Sequence, residues 1–335
     1  MPARDKQEKQ PMYYFCTYFD RNYVLRGLTM YRSLVVSGCD FVLYVLALDE
    51  ETHRCVTALG LGNLRSVRLG DLESANPDLR NAKADRSRIE YYFTLTPFLP
   101  LYLLNYNNEI KIITYVDADL YFYHSPAPIF HELGDKEILI CEHRYSPRLQ
   151  QNLKYGVYNV QFQIFRRDAV GMACLQRWRD QCLEWCYDRV EDDRYADQKY
   201  LDEWPRLYGA NLVVLQHPGA GLAPWNWEGG KLVLDAGIMS AEKRPLIFFH
   251  FHGIKILGTH IISNGLADWG VMPYRKLRWF YAGYFRRIRK TQRWLRANTG
   301  MTFPLKDRII RGGGIGLASA GEIIRKAWPQ IMFIP

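Results

Sequence analysis

The sequence has no long apolar run. None approaches the roughly 18 residues needed to cross a bilayer, so no spanning helix is expected. The start, Met1-Pro-Ala-Arg-Asp-Lys-Gln-Glu-Lys-Gln10, is polar and lacks an apolar centre, so it does not read as a signal peptide. Residues 1–11 read as a disordered tail. The seven cysteines are odd in number and scattered, with no Cys-x-x-Cys. Neither a disulfide framework nor a zinc ribbon is indicated, and a reducing cytoplasm is expected. Cys182 and Cys186 lie one helical turn apart and suit a buried helix face. There is no internal repeat and no low-complexity linker. No glycine-rich loop follows the first apolar run.

What is present is a chain of 335 residues, long enough for one large domain or two. Aromatics reach 14%, with 9 Trp and 23 Tyr. That favours stacking on flat or sugar-like ligands, and equally a tyrosine-rich core. The net charge of +9 favours an anionic partner: a nucleotide, an acidic lipid surface or a nucleic acid.

Along the chain, strands and helices alternate. Tyr13–Phe19 reads as a strand and Asp20–Tyr23 as a turn. Val24, Leu28, Tyr31 and Val35 mark an amphipathic helix that Gly38 is placed to end. Phe41–Ala47 reads as a strand, Glu50–Leu59 as a helix, and Ser66–Arg68 as a short strand. This β-α-β-α order predicts an α/β fold with a mostly parallel sheet and right-handed crossovers. Residues 71–88 read as a polar, basic loop with Lys83, Arg86 and Arg88. The next helix ends near Asn105, with Pro97 and Pro100 in its first turn or at a kink. A helix is expected over Ala127–Leu133 and a strand over Glu137–Glu142. A period-2 strand ends at Phe165, a long helix follows from Asp168, and another helix opens at Asp197. Later come a strand at Leu212–Leu215, an aromatic loop at Ala223–Trp227, and a strand at Leu246–Gly253.

Two constellations carry chemistry. In Lys111-Ile-Ile-Thr-Tyr-Val-Asp-Ala-Asp-Leu120, an apolar strand ends in Asp117 and Asp119, with Ala118 between them. Ligands of open α/β sheets bind outside such strand ends. Residues i and i+2 of a strand point the same way, so one cation can meet both carboxylates. A turn-capping role suits the same pair. In His250-Phe-His-Gly-Ile-Lys255, His250 and His252 share one face, Gly253 allows close backbone approach, and Lys255 offers positive charge. Two carboxylates and one imidazole suit Mn²⁺ better than Ca²⁺, with Mg²⁺ also fitting.

With these residues the chain resembles the GT-A glycosyltransferases, and within them family 8, the group of glycogenin and of bacterial lipopolysaccharide galactosyl- and glucosyltransferases. Asp117 and Asp119 match its Asp-x-Asp. His250, Gly253 and Lys255 resemble its His-x-x-Gly-x-x-Lys, with the lysine one position early. Thr17 to Tyr23, with Asp20 and Asn22, resembles its nucleobase turn. Asn159 stands in its Asn-x-Gly strand, with Gln161 in place of the glycine. Asp197 and Gln198 match its Asp-Gln pair. These landmarks run in order over roughly residues 13–258.

The resemblance implies a GT-A domain over 12–271 and a metal-dependent, retaining transfer of a sugar from a nucleoside-diphosphate donor, UDP in the first instance. The metal, Mn²⁺ or Mg²⁺, would be held by Asp117, Asp119 and either His250 or His252, with His250 favoured. Arg86, Arg88 and Lys255 would meet the diphosphate. Asp197 and Asn159 would hold donor hydroxyls, and Gln198 would lie at the anomeric centre. Trp225, Asn226 and Trp227 would line the acceptor side, although core packing explains the tryptophans equally.

Residues 272–335 read as a helical C-terminal extension. Arg275, Lys276, Arg278, Arg286, Arg287, Arg289, Lys290, Arg293 and Arg296 interleave with Trp279, Phe280, Tyr281, Tyr284, Phe285 and Trp294. That profile suits an interfacial helix on an anionic membrane, from the cytoplasmic side, with a lipid-linked acceptor. It also suits a helical cap with a solvated basic face. A second amphipathic segment is expected around Ile323, Ile324 and Trp328. Three other functions fit less well. A sugar-nucleotide nucleotidyltransferase opens with a glycine-rich loop, which Asp20–Tyr23 is not. A dehalogenase-like phosphatase places Asp-x-Asp after its first strand, whereas here the pair comes about a third of the way along the chain. A non-catalytic nucleic-acid-binding module has no motif here and no need of the Asp/His set, so no nucleic acid partner is expected.

Overall fold

The structure is a computed structural model that describes residues 11–227, 232–235, 238–269, 277–307 and 331–334. The strands of the main sheet are β1 (Tyr13–Phe19), β2 (Phe41–Ala47), β3 (Leu64–Arg68), β4 (Ile112–Val116), β6 (Ile138–Glu142), β7 (Tyr158–Arg166) and β8 (Leu212–Val214). A short β5 (Leu120–Phe122) lies outside it. Their order is β3-β2-β1-β4-β7-β6-β8. β7 is antiparallel to both neighbours and every other pairing is parallel. This is the expected α/β architecture, a mostly parallel sheet flanked by helices.

The helices follow from local signals. α1 (Val24–Ser37) stops at Gly38, which takes the left-handed conformation at φ 75°. α2 (Glu50–Ala58) is capped by the Asp49 carboxylate on the Thr52 amide. The polar stretch expected to be a loop forms α3 (Leu69–Ala75) and α4 (Leu79–Asp85) instead. These helices are too short to show a periodic face, and they bury only Leu72, Leu79 and Ala82. α5 (Arg88–Tyr106) opens on a capping box between Ser87 and Glu90. It starts earlier than the prolines suggested, so Pro97 and Pro100 are interior and buried. α6 (Ala127–Leu133), α7 (Ala169–Glu184) and α8 (Trp204–Tyr208) follow. The Asp197 segment forms a tight 3₁₀ turn at Lys199–Glu203, not a full helix.

The sheet is covered on both faces. Phe15, Phe19, Leu43 and Val45 face a layer that holds α1 and β5. Cys16, Leu46, Ile113 and Tyr115 face α5 and α7. β9 (Val233–Asp235), β10 (Ile238–Ala241) and β11 (Arg244–Pro245) form a small antiparallel sheet. β12 (Phe248–His250) then pairs antiparallel with β5, setting His250 opposite Leu120. Gly219 secures this register: its carbonyl accepts from Ile247 at 2.7 Å, and an added Cβ would lie 2.0 Å from the Pro245 carbonyl oxygen. β13 (Lys255–Ile256), β14 (Ile261–Ser263) and β15 (Ile331–Phe333) make a last antiparallel sheet.

α9 (Arg278–Thr299) packs into the main core. Phe280, Tyr281, Tyr284 and Phe285 are each 2% exposed or less and belong to the core that holds β1 and β12. The Tyr284 ring stacks on Phe251 at 3.8 Å between centroids. Thr291 accepts a hydrogen bond from Thr29 of α1 at 2.9 Å. Phe280, Tyr281, Tyr284 and Phe285 are therefore core residues and not a membrane-facing belt, while Trp294 is partly buried and Trp279 is exposed. Among its cations, Arg278, Arg286, Lys290, Arg293 and Arg296 are exposed, and Arg287 lies over the Tyr121 ring. Arg275, Lys276, the segment around Ile323, Ile324 and Trp328, and residues 1–10 of the tail lie outside the described residues.

Candidate functional site

The site forms where β4 runs out. The Asp117 amide donates to the Gln161 carbonyl at 3.0 Å, so the chain turns while still tied to β7. Ala118 is buried in this turn. The Tyr115 hydroxyl donates to Asp117 Oδ1 at 3.1 Å. β12 arrives alongside: the Phe251 amide donates to the Asp119 carbonyl at 3.1 Å. That contact sets His250 Nε2 at 3.0 Å from Asp119 Oδ1 and 3.7 Å from Asp117 Oδ2. His252 joins them, since Asp119, His250 and His252 each offer a ligand atom within 4.8 Å of the others.

The charges are strongly coupled. Burial pushes the Asp117 carboxyl up, to about 6, with the Asp119 charge adding to it against the opposing pull of His250. Burial also acts to raise Asp119, but the charge and hydrogen bond of His250 outweigh it and hold that carboxyl at about 2. Burial disfavours a charged His250, and the two carboxylates reverse this, so its pKa lies above the ordinary value.

A third carboxyl stands behind this pair. Asp197 is 6% exposed, and burial raises it to about 7 against a hydrogen bond from Thr96, with the Asp117 charge adding to the rise. Tyr18, 3.2 Å from the Thr96 hydroxyl, packs on Tyr115 and connects the two carboxyl positions. Gln198 donates to the Tyr155 carbonyl at 2.9 Å and lies against Gly156.

Asn159 is held by its own strand and by β6. Its Oδ1 accepts from the Gln161 amide, and its Nδ2 donates to His143 Nε2 at 2.9 Å. His143 is kept neutral because burial pushes it down to about 3; its Nδ1–H donates to the Val157 carbonyl. Gln161, in place of the expected glycine, is fully buried with its amide on the Cys141 sulfur.

The remaining expected residues divide. Asp20 accepts from the backbone and side-chain amides of Asn22 at 2.9 and 3.0 Å, an Asx turn that opens α1. Tyr23 is 40% exposed, with Arg26 over its ring at 4.6 Å. Arg88 and Lys255 are exposed. Gly253 is left-handed at φ 77°, which is why glycine stands there. Thr17 is fully buried in β1 and closed to solvent, while its neighbour Tyr18 points to the carboxyl side. The Arg86 guanidinium is buried and donates to Thr94 and to the carbonyls of Cys182 and Leu183, tying α5 to α7. The Asn226 amide donates to the His143 and Gly221 carbonyls and its Oδ1 accepts from the Ala223 amide. Trp225 is buried, with its ring 5.5 Å from both His250 and His252. Trp227 is partly buried against the main core. Sequence reasoning missed Tyr18, Thr96, His143 and Trp269, whose ring lies 5.1 Å from Trp225 and 5.9 Å from His252. None stands in a spaced motif.

No protein-family model matches the chain. Among solved structures, a galactosyltransferase LgtC in complex with donor and acceptor sugar analogs shares 18% identity, with 72% of this chain and 87% of that one covered at a TM-score of 0.49. The glycosyltransferase GlyE of Streptococcus pneumoniae TIGR4 shares 14%, over 90% and 67%, at 0.47. Mouse xyloside xylosyltransferase 1 shares 13%, over 72% and 98%, at 0.45. Two curated Bacillus subtilis (strain 168) proteins are similar in sequence. The uncharacterized protein YfnD is 29% identical over 248 residues, 73% of this chain and 79% of its own. The uncharacterized protein YfnF is 32% identical over 266 residues, 75% of this chain and 84% of its own, and the chain belongs to the same family as YfnF.

Proposed function

We propose that the protein is a metal-dependent, retaining glycosyltransferase that moves a sugar from a UDP-sugar to a glycan or lipid-linked acceptor. The observation that carries this is the convergence of Asp119, His250 and His252, with Asp117 beside them, outside the carboxyl end of β4. The donor set fits a divalent cation: carboxylate oxygens and imidazole nitrogens lie within the span of one coordination sphere, which suits Mn²⁺ or Mg²⁺. Asp117, Asp119 and His250 would hold the cation, and its chemistry there is to neutralise charge on a diphosphate leaving group.

The chain's own residues supply the rest. Tyr23 offers an exposed ring and Asp20 a carboxylate to a nucleobase; a carboxylate accepts strongly from a uracil N3–H. Arg88 and Lys255 are the exposed cations for phosphate oxygens. Asp197, sitting behind Asp117, and Asn159, oriented by neutral His143, are assigned to donor hydroxyls. Gln198 is assigned to the anomeric centre, as a weak nucleophile or a dipole. Trp225 and Trp227 are placed on the acceptor side. We place the enzyme at an anionic membrane surface from the cytoplasmic side, on the exposed cations of α9.

A thermal-shift series with UDP-, GDP- and dTDP-sugars, with and without Mn²⁺, tests the donor, since a ligand of the native state stabilises it by mass action. UDP-sugars with Mn²⁺ should raise Tm most. A much larger shift with a GDP- or dTDP-sugar would refute the UDP assignment. Asp119→Ala should abolish UDP release while leaving Tm within a few degrees, and full activity in excess EDTA would refute the metal.

A further inference from the structure

We propose that His252 is a metal ligand alongside His250, giving a nitrogen-rich site of two carboxylates and two imidazoles. This rests on the functional reading above and sharpens it. His250 closes β12 and His252 follows in the turn; Phe251 between them is fully buried and stacks on Tyr284, which holds the segment that carries both rings. The His250 imidazole is buried against the carboxylates, and both imidazoles offer a ligand atom within 4.8 Å of Asp119. The His250 and His252 rings stand 5.3 Å apart at 84°. Two indoles wall the His252 ring, Trp225 at 5.5 Å and Trp269 at 5.9 Å, so its exposed side chain is confined rather than free to swing. In a six-coordinate site with bonds of about 2.1 Å, ligand atoms lie about 3 Å apart when cis and about 4.2 Å when trans. The Asp119, His250 and His252 atoms, all within 4.8 Å of one another, need only small rotations to meet one ion.

Four protein donors would leave two positions of a six-coordinate ion for a diphosphate. The chemical consequence is selectivity. Imidazole suits first-row transition metals, whereas Mg²⁺ and Ca²⁺ prefer oxygen and water. A second imidazole therefore moves the site toward Mn²⁺, Co²⁺ and Zn²⁺ and away from Mg²⁺.

The test is metal binding by the full-length, metal-stripped protein without any sugar donor. Co²⁺ is followed by its visible absorption, and Mn²⁺ and Mg²⁺ by calorimetry. Wild type should bind Co²⁺ and Mn²⁺ far more tightly than Mg²⁺. His252→Ala and His252→Gln should weaken Co²⁺ by about tenfold or more and change its spectrum, with Tm of the metal-free protein unchanged, because the side chain is exposed. His252→Asp, which replaces nitrogen by oxygen, should raise the affinity for Mg²⁺ relative to Co²⁺. If wild type binds Co²⁺ and loses it with Asp119→Ala, yet His252→Ala keeps the wild-type affinity and spectrum, this inference is overturned and the metal-dependent reading stands. If wild type binds none of these ions, both fall.

Discussion

Arg26 and Asp307, 281 residues apart, form a two-pronged ion pair at 2.9 and 2.6 Å. Arg26 is 3% exposed and also donates to the Ile254 carbonyl, while Asp307 accepts from the Ile256 amide at 2.7 Å. The pair thus ties α1 to the segment that follows the two histidines. Asp307→Ala leaves a buried guanidinium without its carboxylate, which costs about 3 kcal/mol when a buried pair loses one member. The double variant Arg26→Met/Asp307→Ala should be less destabilised than Asp307→Ala alone. Urea denaturation measures both; a double variant as unstable as the sum of the two singles would show that the pairing is not what matters.

The Asp119–His250 pair predicts proton release on metal binding. His250 is raised above its ordinary pKa by the carboxylates, so at a pH at or below the ordinary histidine value the metal-free protein mostly keeps a proton that a metal must displace. Affinity should therefore rise with pH through the histidine range and level off above it. Calorimetric titrations of Mn²⁺ in buffers of different ionisation enthalpy count the protons directly. Release of none at pH 6.5 contradicts a protonated His250.

Asp197 predicts a pH dependence of stability with a definite sign. Its folded pKa of about 7 lies well above the ordinary carboxyl value of 3.8. Between those values the native state holds a proton that the unfolded state has lost, so stability falls as pH rises from about 4 to about 7 and is flat beyond. The loss is on the order of 4 kcal/mol. Asp197→Asn cannot ionise and should flatten that part of the profile. Denaturation at pH 5 and pH 7.5 decides it, since an unchanged difference between the two would place the titration elsewhere.

The parts of the site that were legible in the sequence are those that depend on where one strand ends. Asp117 and Asp119 are two apart at the end of an apolar run; β4 ends at Val116 and the turn that follows it carries both carboxylates, so the position was legible although strand period 2 is not what aligns them. The role of Arg86 was illegible because its partners, the Cys182 and Leu183 carbonyls, come from α7, 96 and 97 residues away. A cation in a polar stretch looks the same whether it meets phosphate or a helix end. His252 was left as a rival to His250 because pairing them depends on Phe251 being anchored by Tyr284 of α9. The fold class followed from alternation alone, whereas α3 and α4 were too short to show a period. For α9, spacing gave an amphipathic helix but could not say whether the apolar face would meet lipid or protein.

That ambiguity sets the last prediction. With Phe280, Tyr281, Tyr284 and Phe285 buried and Trp279 the one exposed aromatic of α9, membrane attraction of this helix rests mainly on charge: Arg278, Arg286, Lys290, Arg293 and Arg296 are the exposed cations. Each cation near an anionic surface contributes about 1 kcal/mol at most, and salt screens it over roughly 10 Å at 0.1 M. Deleting the helix would be a poor test, because it removes core aromatics along with the charges. Arg286→Gln/Lys290→Gln/Arg293→Gln removes only charge, so Tm should change little and sedimentation with anionic vesicles should fall about tenfold or more. Phe285→Ala should do the reverse, lowering stability by about 3–5 kcal/mol through the cavity it leaves, with vesicle binding of the folded protein unchanged. If the wild-type protein stays in the supernatant with anionic vesicles at low salt, the membrane placement fails and a soluble glycan becomes the acceptor to assay.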